Sequence, residues 1–300
     1  MKLAVLAAAN SWYAQDLRRA AGSQYELATV PFSQIHSTID PAGVRVGASG
    51  IELTRFDAVL VRTMPPGSLE QVVFRMDALH HLQAAGCLVI NSPRAIETAV
   101  DKYLTLARLR QRGLPVPTTF VCQNSDEAME AFLRPLGQDA VVKPVFGSEG
   151  RGITRINDPA IALRTFRLLE QLGAVLYLQE FIPHEGFDTR ILLVGDAFFA
   201  MRRCHPTDWR TNVSRGATTE ACTPTEGMLR LARQAAEATG ARIAGVDILA
   251  ARDGREILIE VNAVPGWRAL ARTVGVDIAA HVLQFVEQEW TGSRRSAALG

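Results

Sequence analysis

The sequence predicts an α/β fold: a doubly wound parallel sheet over residues 1–93, followed by two smaller α+β units. Three observations predict it. Short apolar runs alternate with helical patterns at the start of the chain, as strand–helix–strand units do. A strand, a glycine-rich loop and a second strand follow in "DAVVKPVFGSEGRGITRI". The last third reads as a meander of strands with one helix inserted and Gly-Asp or Asp-Gly at its turns.

The N-terminal runs are Leu3–Ala8, Tyr25–Val30, Ala58–Arg62 and Cys87–Ile90, with helices expected over Trp12–Ala21 and Ser68–Ala85. "MKLAVLAAANSWYA" also has the outline of a minimal signal peptide, but its apolar run is short and suits a first buried strand better. The loop "TMPPG" follows the strand "AVLV", at the edge where doubly wound sheets bind ligands. No G-x-G-x-x-G follows the first strand, which argues against a dinucleotide site.

One helix is expected over "SPRAIETAVDKYLTLARLRQRG", with Ser92 as N-cap, Pro93 in the first turn and Gly113 as stop. A helix from Ser125 to Leu133 and another over Pro159–Gly173 flank the glycine-rich loop. The strand "VLYLQEFI" then opens the last unit. Its hairpin "DTRILLVGDAFFAMRR" turns at Gly195-Asp196. The amphipathic helix "TEGMLRLARQAAEATG" follows, and a second hairpin turns at Asp253-Gly254. The boundaries predicted are 1–93, 94–175 and 176–290, with 291–300 a polar, disordered tail.

Of the 300 residues, 48% are hydrophobic and 21% charged, an ordinary globular balance. A net charge of +1 argues against a nucleic-acid binder. Cys87, Cys122, Cys204 and Cys222 have no zinc or redox spacing and suggest a reducing cytoplasm. No apolar run approaches a membrane span, so no membrane partner is expected.

A two-residue turn at Asp253-Gly254 sets Arg252 against Arg255. Five steps back on each strand, Asp247 lies opposite Glu260. Asn262 shares their face, and Gly245 sits opposite it. Two facing carboxylates repel unless a cation lies between them. Two carboxylates and an amide oxygen form a hard donor set suited to Mg²⁺, which usually keeps substrate phosphate among its ligands. An exposed hairpin end with two solvated acids is the alternative.

Lys143 stands inside an apolar strand before Gly147, Ser148, Gly150 and Gly152. Such a loop can fold over phosphates as a flap, its N–H groups unobstructed. A plain glycine-rich hairpin is the simpler reading. "DWRTNVSRGA" gathers Arg210, Asn212 and Arg215, with Arg202 and Arg203 upstream. It reads either as an anion clamp or as a solvated basic loop. His80 and His81 fall on a helix and are expected to be surface or partly buried.

In order, "DKYLTLARL", "VVKPVFGSEGRGI", "LQEFI", "DTRILLVGD", "DWRTNVSRGA", "AGVDIL" and "EVNAVPG" resemble the ATP-grasp superfamily over about residues 60 to 288. Within it the chain resembles the RimK-like α-L-glutamate ligases. "FRMDALHHL", "LVINSPRAIETAVDKYLT" and "PGWRAL" are similar to the tetrahydromethanopterin:glutamate ligase branch. Val264, where protein-tail ligases usually have Ser, departs from those.

The resemblance implies two α+β subdomains clasping ATP, and it implies roles. Lys102 and Lys143 would hold phosphates. Glu180, the Phe181 backbone and Ile182 would border adenine, and Asp188 the ribose. Arg210, Thr211 and Asn212 would line the phosphate and acceptor side, with Arg203 or Arg210 neutralising acyl-phosphate oxygens. Asp247, Glu260 and Asn262 would bind two Mg²⁺ ions, or Mn²⁺. Arg62, Arg75, Arg215 and Trp267 are candidates for the acceptor; each arginine has an ordinary surface or capping role as its alternative.

The implied reaction is ADP-forming ligation of L-glutamate to the carboxylate of a small-molecule acceptor, a methanopterin- or methanofuran-type coenzyme. Alternatives are a protein tail or amino-acid carrier protein as acceptor, or a non-catalytic ATP-binding module. A homo-oligomer, dimer or tetramer, is expected.

Overall fold

A computed structural model describes residues 1–147 and 150–299. The first unit runs β1 (Lys2–Leu6), α1 (Trp12–Ala21), β2 (Glu26–Val30), β3 (Ile35–Asp40), β4 (Gly43–Ala48), β5 (Ile51–Glu52), β6 (Ala58–Val61), α2 (Leu69–Ala84) and β7 (Leu88–Ile90). Four of these strands form a parallel sheet in the order β2-β1-β6-β7. Its two faces follow the period of two along β1. Ala4 and Leu6 pack towards Met76, Leu79 and Leu82 of α2, and Leu3 and Val5 towards Leu17 of α1. Ser11 caps α1, and Ser68 caps α2 with Gln71 in a capping box.

The three-stranded antiparallel sheet β3-β4-β5 was not foreseen. Its strands are short and carry polar, exposed residues such as His36 and Thr38, so no apolar run announces them.

The second unit holds α3 (Pro93–Val100), α4 (Lys102–Gln111), β8 (Thr119–Cys122), α5 (Ser125–Leu133), β9 (Ala140–Lys143), β10 (Thr154–Ile156), α6 (Pro159–Gln171) and β11 (Leu176–Glu180). The single helix expected over 92–113 is two. Asp101 takes an extended conformation, and its Oδ1 accepts from Leu104 N at 3.0 Å, capping a new helix that starts at Lys102. The antiparallel sheet is ordered β10-β9-β11-β8. The boundary therefore falls after Glu180 rather than before Leu176, because β11 pairs with both β9 and β8. Phe132 of α5 and Phe166 of α6 meet edge to face over this sheet at 6.1 Å.

The third unit comprises β12 (Phe187–Val194), β13 (Ala197–Cys204), β14 (Thr218–Ala221), α7 (Glu226–Thr239), β15 (Ile243–Ala250), β16 (Glu256–Asn262), α8 (Arg268–Val274) and α9 (Ile278–Leu299). The last helix extends through the tail expected to be disordered; Gly300 lies outside the described residues. The sheet order is β14-β13-β12-β15-β16. On one face Ile191, Ala244 and Val246 pack with Ala232 and Ala235 of α7. The other face is divided. Leu192, Val194, Met201 and Ile243 lie in the core shared with α8, α9 and the first sheet. Asp188, Arg190, Arg203 and Asp247 occupy the remainder.

The helix α9 buries Val282 and Val286 in the core, and no single helix among the described residues is long and apolar enough to cross a membrane.

Candidate functional site

Antiparallel pairing sets the polar face in rows. Asp188 pairs with Arg203 across β12 and β13. In the next row Arg190 of β12 faces Asp247 of β15, which faces Glu260 of β16. Beyond it Leu192, Gly245 and Asn262 align. The expected Asp247–Glu260 opposition is present, but it arises differently. Ala251 N donates to Arg255 O at 2.9 Å, so the turn spans three residues rather than two. The pairs Ala250–Glu256 and Ile248–Leu258 continue that register. A bulge at Ile259 then shifts it by one and restores Asp247 to Glu260. As a result Ile259 and Glu260, adjacent in sequence, both line the same cleft.

That cleft lies between the second and third sheets. Val141, Ile153, Ile182, Leu249 and Ile259 give it an apolar slot, while Lys102, Lys143, Arg210, Asn212, Asp247 and Glu260 give it charged and polar walls. Glu180, Phe181, Asp188, Arg203 and Thr211 also line it. The structure thus gathers most of the residues singled out from sequence.

The two lysines are held without carboxylate partners among the described residues. Lys143 Nζ donates to Gln179 Oε1 at 2.5 Å; Gln179 is buried and is steadied by the Thr119 hydroxyl at 3.1 Å. Burial pushes Lys143 down to about 8, against the pull of Glu260 and helped by the charge of Lys102. Lys102, at the first position of α4, donates to the carbonyls of Gly147 at 2.8 Å and Val145 at 3.3 Å. It therefore grips the glycine-rich loop from beneath, and burial lowers its pKa also.

The same loop is held from the third unit. Arg215 Nη2 donates to Gly150 O at 2.9 Å, and Arg210 Nη1 to Ile153 O at 3.4 Å. Asn212 Oδ1 occupies the space a side chain at Gly150 would need, and Gly150 has φ +70°. Arg215, proposed for an acceptor, is thus a loop contact. Ser148 lies outside the described residues; Gly147 and Gly152 have φ +156° and +72°.

Asp247 differs from its expected state. Arg190 Nε and Nη2 donate to its two oxygens at 2.6 and 2.7 Å, and Arg203 Nη2 reaches Oδ2 at 2.8 Å. Burial would raise its pKa, but Arg190 and Arg203 outweigh burial and hold it below the usual carboxylate range. Arg203 also grips Asp188 with Nε, at 2.7 Å, and with Nη2. With two buried carboxylates to serve, Arg203 is no free cation. Arg210 pairs with Asp208 at 2.7 Å but lies in the cleft wall, only half-buried. Arg190 was not singled out, although its position two residues after Asp188 on an apolar strand places it on the same face.

The Glu260 carboxylate takes no hydrogen bond from the described residues. Asn262 Oδ1 accepts from Val264 N at 2.8 Å, leaving its second lone pair. Among the described residues no group of three or more His, Cys, Asp or Glu converges as a ready-made metal site. Asp247, Glu260 and Asn262 fit a hard cation that draws its other ligands from outside the chain.

At the hinge after β11, Glu180 Oε1 accepts from Thr118 N at 2.8 Å, and Phe181 N donates to Asp139 O at 3.0 Å. The Phe181 N–H is therefore already engaged within the protein. Its ring carries the Arg155 guanidinium at 3.4 Å and meets Trp209 edge-on at 5.7 Å.

Arg62, Arg75 and Trp267 lie outside the cleft, and all are buried. Arg75 Nη1 donates to Pro65 O at 2.7 Å and braces the "TMPPG" loop. Arg62 stacks over Trp267, 4.2 Å from its centroid. Neither is exposed to an acceptor; residues about 200 apart in sequence met in a way that local patterns do not announce.

Residues 99–286 match the family of the RimK-like ATP-grasp domain. The chain is 34% identical over 270 residues to the tetrahydromethanopterin:alpha-L-glutamate ligase of Methanosarcina acetivorans, covering 80% of this chain and 82% of that protein. It is 32% identical to the ribosomal protein bS6--L-glutamate ligase of Salmonella newport over 97% of each chain. The solved structure of the ATP-grasp ligase PsnB with a minimal precursor shares the fold, with a TM-score of 0.75 at 24% identity over 95% of this chain and 98% of that one.

Proposed function

This chain belongs to the RimK-like ATP-grasp family and is an ADP-forming ligase, and on that premise we propose that it joins L-glutamate to an acceptor carboxylate through an acyl phosphate, the acceptor being a methanopterin- or methanofuran-type one-carbon coenzyme. The observation that carries this reading is the composition of the cleft. Two lysines without carboxylate partners among the described residues face Asp247, already paired with arginines, and Glu260, which has no partner among those residues, beside an apolar slot. A nucleotide polyphosphate with a cation satisfies both charge sets at once.

In the proposed reaction an acceptor carboxylate oxygen attacks the γ-phosphorus of ATP, and the bond to ADP breaks. The amine of L-glutamate then attacks the acyl carbon, phosphate leaves, and the amine proton passes to solvent. Lys102 and Lys143 bind the phosphates, and the loop held by Lys102, Arg210 and Arg215 closes over them and excludes water. The apolar slot takes the base, with Ile182 and the Glu180 segment at its edge and Asp188 towards the ribose. Arg210 neutralises the acyl-phosphate oxygens; Arg203 orients Asp247. Bound Mg²⁺, on Asp247, Glu260 and Asn262, supplies further charge neutralisation on the phosphates. A cytoplasmic dimer or tetramer belongs to the same reading.

The likeness to the Methanosarcina protein supports the coenzyme acceptor. The Salmonella relative, aligned over 97% of both chains, supports a second reading in which the acceptor is a protein tail. Purified protein with ATP, Mg²⁺ and L-glutamate should release ADP and give a glutamylated product by mass spectrometry with a pterin or furan coenzyme. ADP release with a protein tail alone would move the assignment to the second reading. A nucleotide-induced thermal shift without turnover on any acceptor would leave only a binding module.

A further inference from the structure

The ligand-binding edge of the parallel sheet is filled by the chain itself. In doubly wound sheets a ligand sits outside the carboxyl ends of the strands where the strand order reverses. Here β1 has β2 on one side and β6 on the other, and Arg62 and Asn91 directly follow β6 and β7. Arg62 points its guanidinium into the segment 263–267, which follows Asn262, and Asn91 ties the first residue of that segment to the start of β15.

Asn91, 2% exposed, makes four hydrogen bonds to the third unit, one of them to this segment and three to the start of β15. Its Nδ2 donates to Ala263 O at 2.6 Å and Ile243 O at 2.7 Å, and its Oδ1 accepts from Arg242 N at 2.7 Å and Ile243 N at 3.0 Å. That is the full capacity of an amide. Arg62, 6% exposed, donates Nη2 to Pro265 O at 2.5 Å and stacks between Trp267 and Tyr13. Its Nε is buried without a partner, and no carboxylate pairs with it among the described residues. A buried cation of this kind is costly, and the one side-chain hydrogen bond it makes among the described residues goes to the segment.

The segment has no slack. A Cβ at Gly266 would lie 2.5 Å from the Tyr13 hydroxyl, and one at Gly245, opposite Asn262, 2.9 Å from Pro265. The Trp267 indole, fully buried, donates to Asp16 Oδ2 of α1 at 2.9 Å.

We propose that Arg62 and Asn91 are positioning residues that set the segment 263–267, and through it the amide of Asn262, so that the cation end of the cleft is complete only with the first unit docked. The inference rests on the proposed reading of Asp247, Glu260 and Asn262 as cation ligands. Side chains that orient metal ligands commonly change metal affinity about ten- to a hundred-fold when removed.

The test is ADP affinity by calorimetry in the full chain, with and without Mg²⁺, for wild type, Arg62→Met, Arg62→Lys and Asn91→Ala. The expected result is at least a ten-fold loss of apparent Mg²⁺ affinity in Arg62→Met and Asn91→Ala, metal-free ADP affinity unchanged, and partial recovery in Arg62→Lys, which keeps a donor. Should Arg62→Met not fold, Arg62→Lys and Asn91→Ala decide the outcome. Equal losses with and without Mg²⁺ would mean a merely structural role, and unchanged Mg²⁺ affinity in folded variants would equally overturn the proposal. A wild type whose ADP binding ignores Mg²⁺ would instead remove the reading of the cation site beneath it.

Discussion

The two long hairpins of the third sheet, β12–β13 and β15–β16, put charged residues opposite each other to different ends. In the first, Asp188 faces Arg203, and the pair closes bidentately within the protein. In the second, Asp247 faces Glu260, two carboxylates. Arg190 of β12 and Arg203 of β13 neutralise Asp247, but Glu260 is left without a partner among the described residues. The row of opposed charges is therefore satisfied from one side only. A self-satisfied row is a structural device; a half-satisfied one needs a ligand, and that separates the scaffold of this site from its reacting end.

The largest expected effect tests that separation. Asp247→Asn leaves the buried Arg203 and the half-buried Arg190 short of a partner. It should lose about 3–5 kcal/mol of stability, the usual cost of breaking a buried pair, together with turnover. Chemical denaturation and ADP release measure the two losses, and a fully stable variant would show that Arg190 and Arg203 do not depend on Asp247. Glu260→Gln should behave differently: turnover falls about a hundred- to a thousand-fold while the unfolding midpoint stays at the wild-type value. If both variants were equally destabilised, the distinction between the two acids would be wrong.

Lys143→Ala should weaken ADP binding, and pH sharpens the prediction. Burial lowers the folded-state pKa of Lys143 to about 8, below its unfolded value of about 10.4. The unfolded chain therefore holds the extra proton between these values, and Lys143 destabilises the free protein most below pH 8; the penalty fades as pH rises through that window. Phosphate needs the charged form. ADP affinity should fall by up to about ten-fold per pH unit above 8 in the wild type and show no such component in Lys143→Ala. A parallel pH profile in both would assign the titration elsewhere.

The smallest effects compare the two turns directly. Gly195 has φ +58°, and an added Cβ would come 2.6 Å from the Phe285 ring; Gly254 has φ +87° and open space. Gly195→Ala should cost about 2–3 kcal/mol and Gly254→Ala about 1 kcal/mol, read from thermal unfolding. Equal costs would mean that Phe285 yields without penalty.

The same two hairpins show what a sequence discloses. At Gly195-Asp196 the two-residue turn is as expected, with Val194 paired to Ala197. At Asp253-Gly254 the turn is one residue wider, and the bulge at Ile259 compensates, so the opposition of Asp247 and Glu260 was legible although the route to it was not. A bulge has no signature in a run as uniformly apolar as Ile257-Leu258-Ile259. Lys143 stood out because a charge in an apolar strand needs a reason. The break at Asp101 did not, because Asp before a helical pattern is also ordinary within one. The bracing role of Arg62, Asn91 and Trp267 was beyond reach for another reason: their partners are brought together only by docking of separate units.

That docking has a consequence for how the chain can vary through descent. Asn91 spends all four of its hydrogen bonds on backbone of the third unit, and backbone is common to every sequence. The first unit can therefore change elsewhere and still fit its neighbour, provided Asn91, the side chains that meet the third unit (Asp16, Arg19 and Arg62) and the course of residues 263–267 are inherited together. Exchanging the first unit between relatives should succeed when those few residues travel with it, and fail when they do not, however alike the rest of the chains.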